Sequence, residues 1–242
     1  MGGNLFHEVK VPDACNGLVT DANHGFFKES DKYLFMTSTY LIHLQANVPL
    51  FLAYSNGLTQ EHYQSYFLQL FQALTKYMGA SRELKDKHLA QVVDFSIAQR
   101  NGFIEAFADF HLLGAGISQS YIELESFSMQ HHDYRVWAQK LIKGCEVHWM
   151  RSVKIIGRNG HYMNDEHLFQ LYCNGLLSAQ SQCEFQSAYL KIKNQFPKTV
   201  IWLEWWTKES IAQMIFPIFK SMGEETDVRL PSSTNAVESL HC

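Results

Sequence analysis

The chain has 242 residues, of which 46% are hydrophobic, 14% aromatic and only 18% charged; this is the make-up of a folded, well-cored protein and excludes a disordered one. Its formal net charge of -4 excludes nucleic-acid binding by bulk positive charge, so any DNA contact must come from local basic patches. No apolar run is long enough to span a membrane, and Met1–Glu8 lacks a signal-peptide core. The five cysteines, Cys15, Cys145, Cys173, Cys183 and Cys242, are scattered and odd in number. With the missing export signal they read as reduced intracellular thiols.

Residues from about Ala14 to Tyr54 read as a β-rich opening. Leu18-Val19-Thr20 leads into Asp21, Tyr33–Tyr40 is rich in aromatic and β-branched residues, and Val48–Tyr54 is closed by the turn Ser55-Asn56-Gly57. Strands so tightly connected are antiparallel neighbours. The spacing next predicts a helix from about Gln60 to Met78, capped by Thr59, with Tyr63, Phe67, Leu70, Leu74 and Met78 as its buried stripe. The run Gln91–Gly102 (QVVDFSIAQRNG) then has the pattern of a buried strand that delivers Asp94 to its C-terminal tip. Ser96 and Gln99 stand in capping-box spacing, so a helix starts there, with Ile97, Ile104, Phe107 and Ala108 on its apolar face.

A poorly patterned region follows around Ser118–Asp133. The segment from roughly Ala138 to His148 supplies a fifth strand, and a helix begins near Trp149 with Arg151, Lys154 and Arg158 on one side. From about Asn164 to Met222 the pattern is helical and aromatic-rich. A break follows at Gly223–Pro231, and a last helix begins near Ser233 or Asn235.

Several residues invite chemistry, each with a structural counterpart. A carboxylate at a strand tip facing a helix start, as at Asp94, is where open α/β sheets place their sites; it equally caps the following turn. Asp21 lies in a polar, turn-like cluster where Asp makes local backbone bonds. Glu238 sits three residues after Asn235, a capping-box spacing. Cys145 and His148 are spaced as half a zinc site, but Cys173 and Cys183 match no compact zinc module with them. Trp202, Trp205 and Trp206 fit either a helical core or a platform on which flipped bases stack.

Five stretches, in order, resemble one family. Gly17–His24 (GLVTDANH) and Val92–Phe103 (VVDFSIAQRNGF) resemble the first- and second-aspartate motifs of DDE transposases from eukaryotic, especially fungal, DNA transposons, relatives of the mutator-like superfamily. Lys143–His148 resembles their Cys-x-x-His motif. Trp205-Trp206 with Met214–Pro217 resembles part of their helical insertion, and Leu230–Ser239 the approach to the final glutamate. The element order, three antiparallel strands followed by helix, strand, helix and strand, matches the ribonuclease-H-like fold of that family.

The resemblance implies an α/β (α+β) protein with a mixed five-stranded sheet flanked by helices and an all-helical insertion before the last acidic residue. The expected organisation is a core over residues 12–160, an insertion over 161–230, and the start of a closing helix over 231–242. Asp21, Asp94 and Glu238 would be the catalytic metal ligands for Mg²⁺ or Mn²⁺ in DNA strand cleavage and transfer. Cys145 and His148 would lie beside the acids, with Arg151, Lys154 and Arg158 contacting phosphate. The implied partners are DNA at transposon ends and a homo-oligomeric copy, in the nucleus, with no membrane and no small-molecule cofactor. Transposases of this type also carry an N-terminal DNA-binding module, so the expectation is a core cut at both ends. The alternative reading is a catalytically inactive, transposase-derived DNA-binding or interaction protein.

Overall fold

The computed structural model describes residues 15–41, 44–78, 85, 88–114, 124–160, 162 and 164–235. In chain order its elements are β1 (Cys15–Asn23), β2 (Tyr33–Leu41), β3 (Ala46–Ser55), α1 (Gln60–Met78), β4 (Gln91–Val93), α2 (Ile97–Gly114), α3 (Leu124–Gln139) and β5 (Ile142–Gly144). They continue with α4 (Glu146–Arg158), α5 (Glu166–Ser178), α6 (Gln182–Gln195), α7 (Val200–Trp206), α8 (Glu209–Ile215) and α9 (Glu224–Arg229). The chain divides into two compact units, Met1–Lys143 with Met222–Cys242, and Gly144–Ser221. Among the described residues no helix is long and apolar enough to cross a membrane.

The first unit is built on one sheet with strand order β3-β2-β1-β4-β5. β1, β2 and β3 form an antiparallel meander, whereas β4 returns through α1 to lie parallel to β1. A parallel return requires a helical crossover, which explains why the long helix falls between β3 and β4. The protein is therefore α+β with a mixed five-stranded sheet flanked by helices, in the ribonuclease-H-like order.

Aromatic packing holds α1 and α2 to one face of this sheet. Tyr63 of α1 stacks on Phe35 of β2 at 4.7 Å between ring centroids, and Phe67 meets Phe103 of α2 edge-on at 5.3 Å. Phe35, Phe67, Phe71, Phe103 and Phe107 are all fully buried, and each such pair contributes about 0.5–1.5 kcal/mol beyond area burial. Ile104, Phe107 and Ala108 face this core as expected. Ile97 does not: it stands in the first turn of α2 and is exposed.

The same face carries a polar row. The Tyr66 hydroxyl bonds Thr37 Oγ1 at 2.7 Å, Thr37 bonds Thr20 Oγ1 at 2.7 Å, and Thr20 donates to Gln91 Oε1 at 2.6 Å. These contacts tie α1, β2, β1 and β4 together, with every residue of the row buried.

Three boundaries differ from expectation. The poorly patterned region around Ser118–Asp133 contains most of α3, whose described contacts with α2 are mixed. Tyr134 stacks on His111 at 4.9 Å, and Arg135 pairs with Glu105 at 2.9 Å. A helix held by ring stacking and ion pairs has no apolar stripe to announce it. β5 is short, and α4 begins at Glu146 with Cys145 at its N-cap, so His148 lies on a helix and not on the fifth strand. The expected break at Gly223–Pro231 holds α9, anchored where Lys143 of β5, with its side chain 7% exposed, meets Asp227 at 3.3 Å.

The second unit is helical throughout. Trp149 of α4 is fully buried among Trp202 at 5.4 Å, Trp206 at 4.9 Å and Phe216 at 5.2 Å. The indole nitrogens of Trp202 and Trp206 both donate to Ser152 Oγ, at 2.7 and 3.3 Å. Trp202 and Trp206 thus belong to the core of this unit, while Trp205 remains 40% exposed. Asp165 and Ser181 cap α5 and α6 by accepting from the Leu168 and Glu184 amides at 2.9 and 3.2 Å.

Gly102 lets α1 and α2 approach closely. A Cβ there would sit 2.8 Å from both Gln60 O and Gln64 N, which are backbone atoms and cannot swing away. Gly102→Ala is expected to lower unfolding stability by about 1–3 kcal/mol despite alanine's better helix propensity. Urea denaturation of both proteins checks the sign: equal or higher stability would show that the helices are not in contact there.

Candidate functional site

The first unit brings two of the expected acids together. β1 pairs in parallel with β4 through Leu18 with Gln91 and Val19 with Val92. Side chains alternate across a strand, so counting on by two places Asp21 and Asp94 level, on the same side of the sheet as Val19 and Val92. This is the side away from Thr20 and Gln91, whose side chains bond each other in the buried row. Asp21 lies within β1 opposite Met36, and Asp94 is the first residue past the C-terminal end of β4. Both are half-buried.

Hydrogen bonds from three elements set this level. The Leu18 amide donates to Ala90 O at 3.1 Å, and the Gln91 amide to Leu141 O at 2.8 Å. Ser96 caps α2, its Oγ accepting from the Gln99 amide at 3.3 Å. The Gln99 side chain does not complete the expected capping box. Its Nε2 donates 3.1 Å to Thr20 O, the carbonyl just before Asp21, so the first turn of α2 clamps β1.

The carboxylates have visible local surroundings. Asp21 Oδ1 accepts from the Ala22 amide at 2.7 Å, and Asp94 Oδ1 accepts from Thr234 Oγ1 at 3.3 Å. Tyr63 feels both acids. Burial pushes its phenol above the ordinary range, and the negative charges of Asp21 and Asp94 push it further the same way. Tyr63 therefore stays neutral beside the pair. Two half-buried carboxylates on adjacent strands offer hard oxygen ligands of the kind a divalent cation takes.

The other expected residues fall elsewhere. Glu238 lies outside the described residues. Cys145 is fully buried at the N-cap of α4, and its sulfur lies within 4.8 Å of a ring nitrogen of half-buried His148. Neither Cys173, whose thiol burial pushes up, nor exposed Cys183 joins them in a metal-sized cluster. Arg151, Lys154 and Arg158 stand exposed along α4, with Arg158 Nε 3.6 Å from Glu166. Lys143, by contrast, is turned to Asp227.

In the sequence Tyr63 reads only as part of a helix stripe and Gln99 as part of a capping box, while Gln99 and Thr234 lie within motif-like stretches without a role of their own. The hydrogen bonds to Thr20 O and Asp94 give those two their place. No protein-family model matches the chain, and no curated protein matches it.

The buried phenols make the fold sensitive to alkali. In the unfolded chain Tyr63 ionises near its ordinary value of 10.0, while in the folded chain it holds its proton above that. The folded state then binds more protons, so stability is full below about pH 10 and falls as pH rises beyond it. Tyr66, also raised by burial, contributes in the same direction. Tyr63→Phe should flatten the decline of melting temperature between about pH 9 and 11, and an unchanged slope would place Tyr63 in water.

Proposed function

We propose that this chain is the catalytic core of a DDE-type transposase, cutting and joining DNA in the nucleus with Mg²⁺ or Mn²⁺ held by Asp21 and Asp94. The observation that carries this reading is the parallel register of β1 with β4, which puts Asp21 within one strand level with Asp94 just past the end of its neighbour. Support also comes from the order of the strands and from the five motif-like stretches that follow the family's sequence. Bound divalent cations of this kind activate the attacking oxygen and stabilise the leaving one at phosphorus.

The residues have separate tasks in this reading. Asp21 and Asp94 present oxygens, with their level fixed by the strand register and the Gln99 clamp. Glu238, outside the described residues, is the third acid of this reading. Tyr63, buried against Phe35 on the other face of the sheet, stays neutral within the field of both acids. Arg151, Lys154 and Arg158 provide phosphate contacts, which add affinity without reading sequence. His148, with Cys145 beside it, serves the phosphate as a polar contact.

Metal binding is measurable without catalysis. A ligand at ten times its Kd stabilises by about 1.4 kcal/mol, which for a chain of this size raises the melting temperature by about 3–6 °C. Millimolar Mg²⁺ or Mn²⁺ should give such a shift in the wild type and none in Asp94→Asn or Asp21→Asn. A nicking assay on supercoiled DNA should lose its Mn²⁺-dependent product in the same variants. Equal shifts in all three proteins would place the cations elsewhere, and binding of DNA without any nicking would favour the inactive, transposase-derived reading.

The cationic residues predict a salt dependence. Each neutralised phosphate steepens the fall of log K with log salt by about 0.9. Replacing Arg151 and Lys154 by Ala should therefore lower that slope by about two and weaken binding alike for unrelated DNA sequences. An unaltered slope would remove α4 from the DNA contact.

A further inference from the structure

The segment from Met222 to Asn235 is fastened to the sheet at three strands. Lys143 Nζ of β5 donates to Asp227 O at 3.1 Å and also meets its carboxylate. Leu230, 4% exposed, packs over Gly17 of β1, where any Cβ would collide with it and where φ is +81. Thr234 is fully buried and its hydroxyl donates to Asp94 Oδ1 at 3.3 Å. Two of these three points, Gly17 and Asp94, belong to the strands that bear the acids. The third holds the segment at the sheet's far edge.

We propose that Thr234 is a positioning residue for Asp94, orienting its carboxylate for a divalent cation and coupling that carboxylate to the C-terminal segment. The inference rests on the metal-binding reading above. An aspartate just past a three-residue strand has two side-chain torsions to be set. A hydroxyl that holds one oxygen sets the plane of the carboxylate and therefore the direction of the other. Groups that orient a metal ligand in this way alter affinity by about 10–100-fold when removed. Thr234 can do this because its own position is over-determined. It follows Leu230 and Asp227, both anchored, and stands next to Asn235, where helix is again assigned.

The two halves of threonine separate orientation from packing. Thr234→Val keeps the shape and removes the donor, whereas Thr234→Ser keeps the donor and removes a methyl group. Mn²⁺ binding to the full chain, read from the loss of the free-ion electron-spin-resonance signal, should weaken about tenfold in Thr234→Val and stay within about twofold of wild type in Thr234→Ser. Thr234→Ala should match the valine variant and covers the case in which valine does not fold. Wild-type affinity in both Thr234→Val and Thr234→Ala, with binding still lost in Asp94→Asn, would overturn the positioning role and leave the metal site standing. Serine as weak as valine would overturn it too, because packing and not the hydroxyl would then be decisive. No Mn²⁺ binding by the wild type would overturn both readings.

Discussion

Everything at the acidic pair depends on one short pairing, the parallel register of β1 with β4. Only Leu18 with Gln91 and Val19 with Val92 define it, since β4 has three residues. A slip of one residue would turn Asp94 to the opposite face, because side chains alternate. Apolar packing alone discriminates poorly here, as a shifted β4 would still bury valine. The polar groups discriminate better. Thr20 reaches Gln91 Oε1 at 2.6 Å and Gln99 reaches Thr20 O at 3.1 Å in this register, and a slip would leave buried donors unmet. Stranding a buried polar group costs about 1–3 kcal/mol, so these bonds specify the register by penalising its alternatives.

The strands were legible because they follow from local rules, whereas the two aspartates stood out as a pair only through the family resemblance. Alternation and β-branched composition mark β1, β2 and β3, and a closed apolar run marks β4. What failed to show had non-local causes. α3 is held by a stacked Tyr134 and an Arg135–Glu105 pair, and neither leaves a periodic trace. α4 starts at Glu146 behind Cys145, whose side chain makes no cap hydrogen bond, so the usual start signal is missing. Gln99 was misread for a better reason: its spacing from Ser96 suits a capping box, but a buried carbonyl on β1 offered a partner that sequence cannot see. Thr234 is the extreme case, as its partner lies 140 residues away. Glu238 falls outside the described residues, so the structure leaves its place as the sequence had it.

The two units are stabilised in different ways. In the first, phenylalanines from α1 and α2 form a continuous aromatic cluster against the sheet, crossed by a buried row of polar side chains. In the second, Trp149, Trp202 and Trp206 share a core, and the indole nitrogens of the last two converge on the single Ser152 oxygen. Tryptophan brings large buried area but also an N–H that must be satisfied, and one small hydroxyl answers for two.

The buried row also has an orientation. Thr20 has one proton and gives it to Gln91, so Thr37 donates to Thr20 and Tyr66 to Thr37, with Phe51 O as a second acceptor for the Tyr66 proton at 3.3 Å. All three hydroxyls therefore point the same way along the sheet, each committed by its neighbour. Exchange of one member removes a bond from its neighbour as well. Valine at position 37 would silence the donor to Thr20 and the acceptor for Tyr66 together. The four positions should consequently drift through evolution as one inherited block, lost or kept entire, and the sheet's register would travel with them.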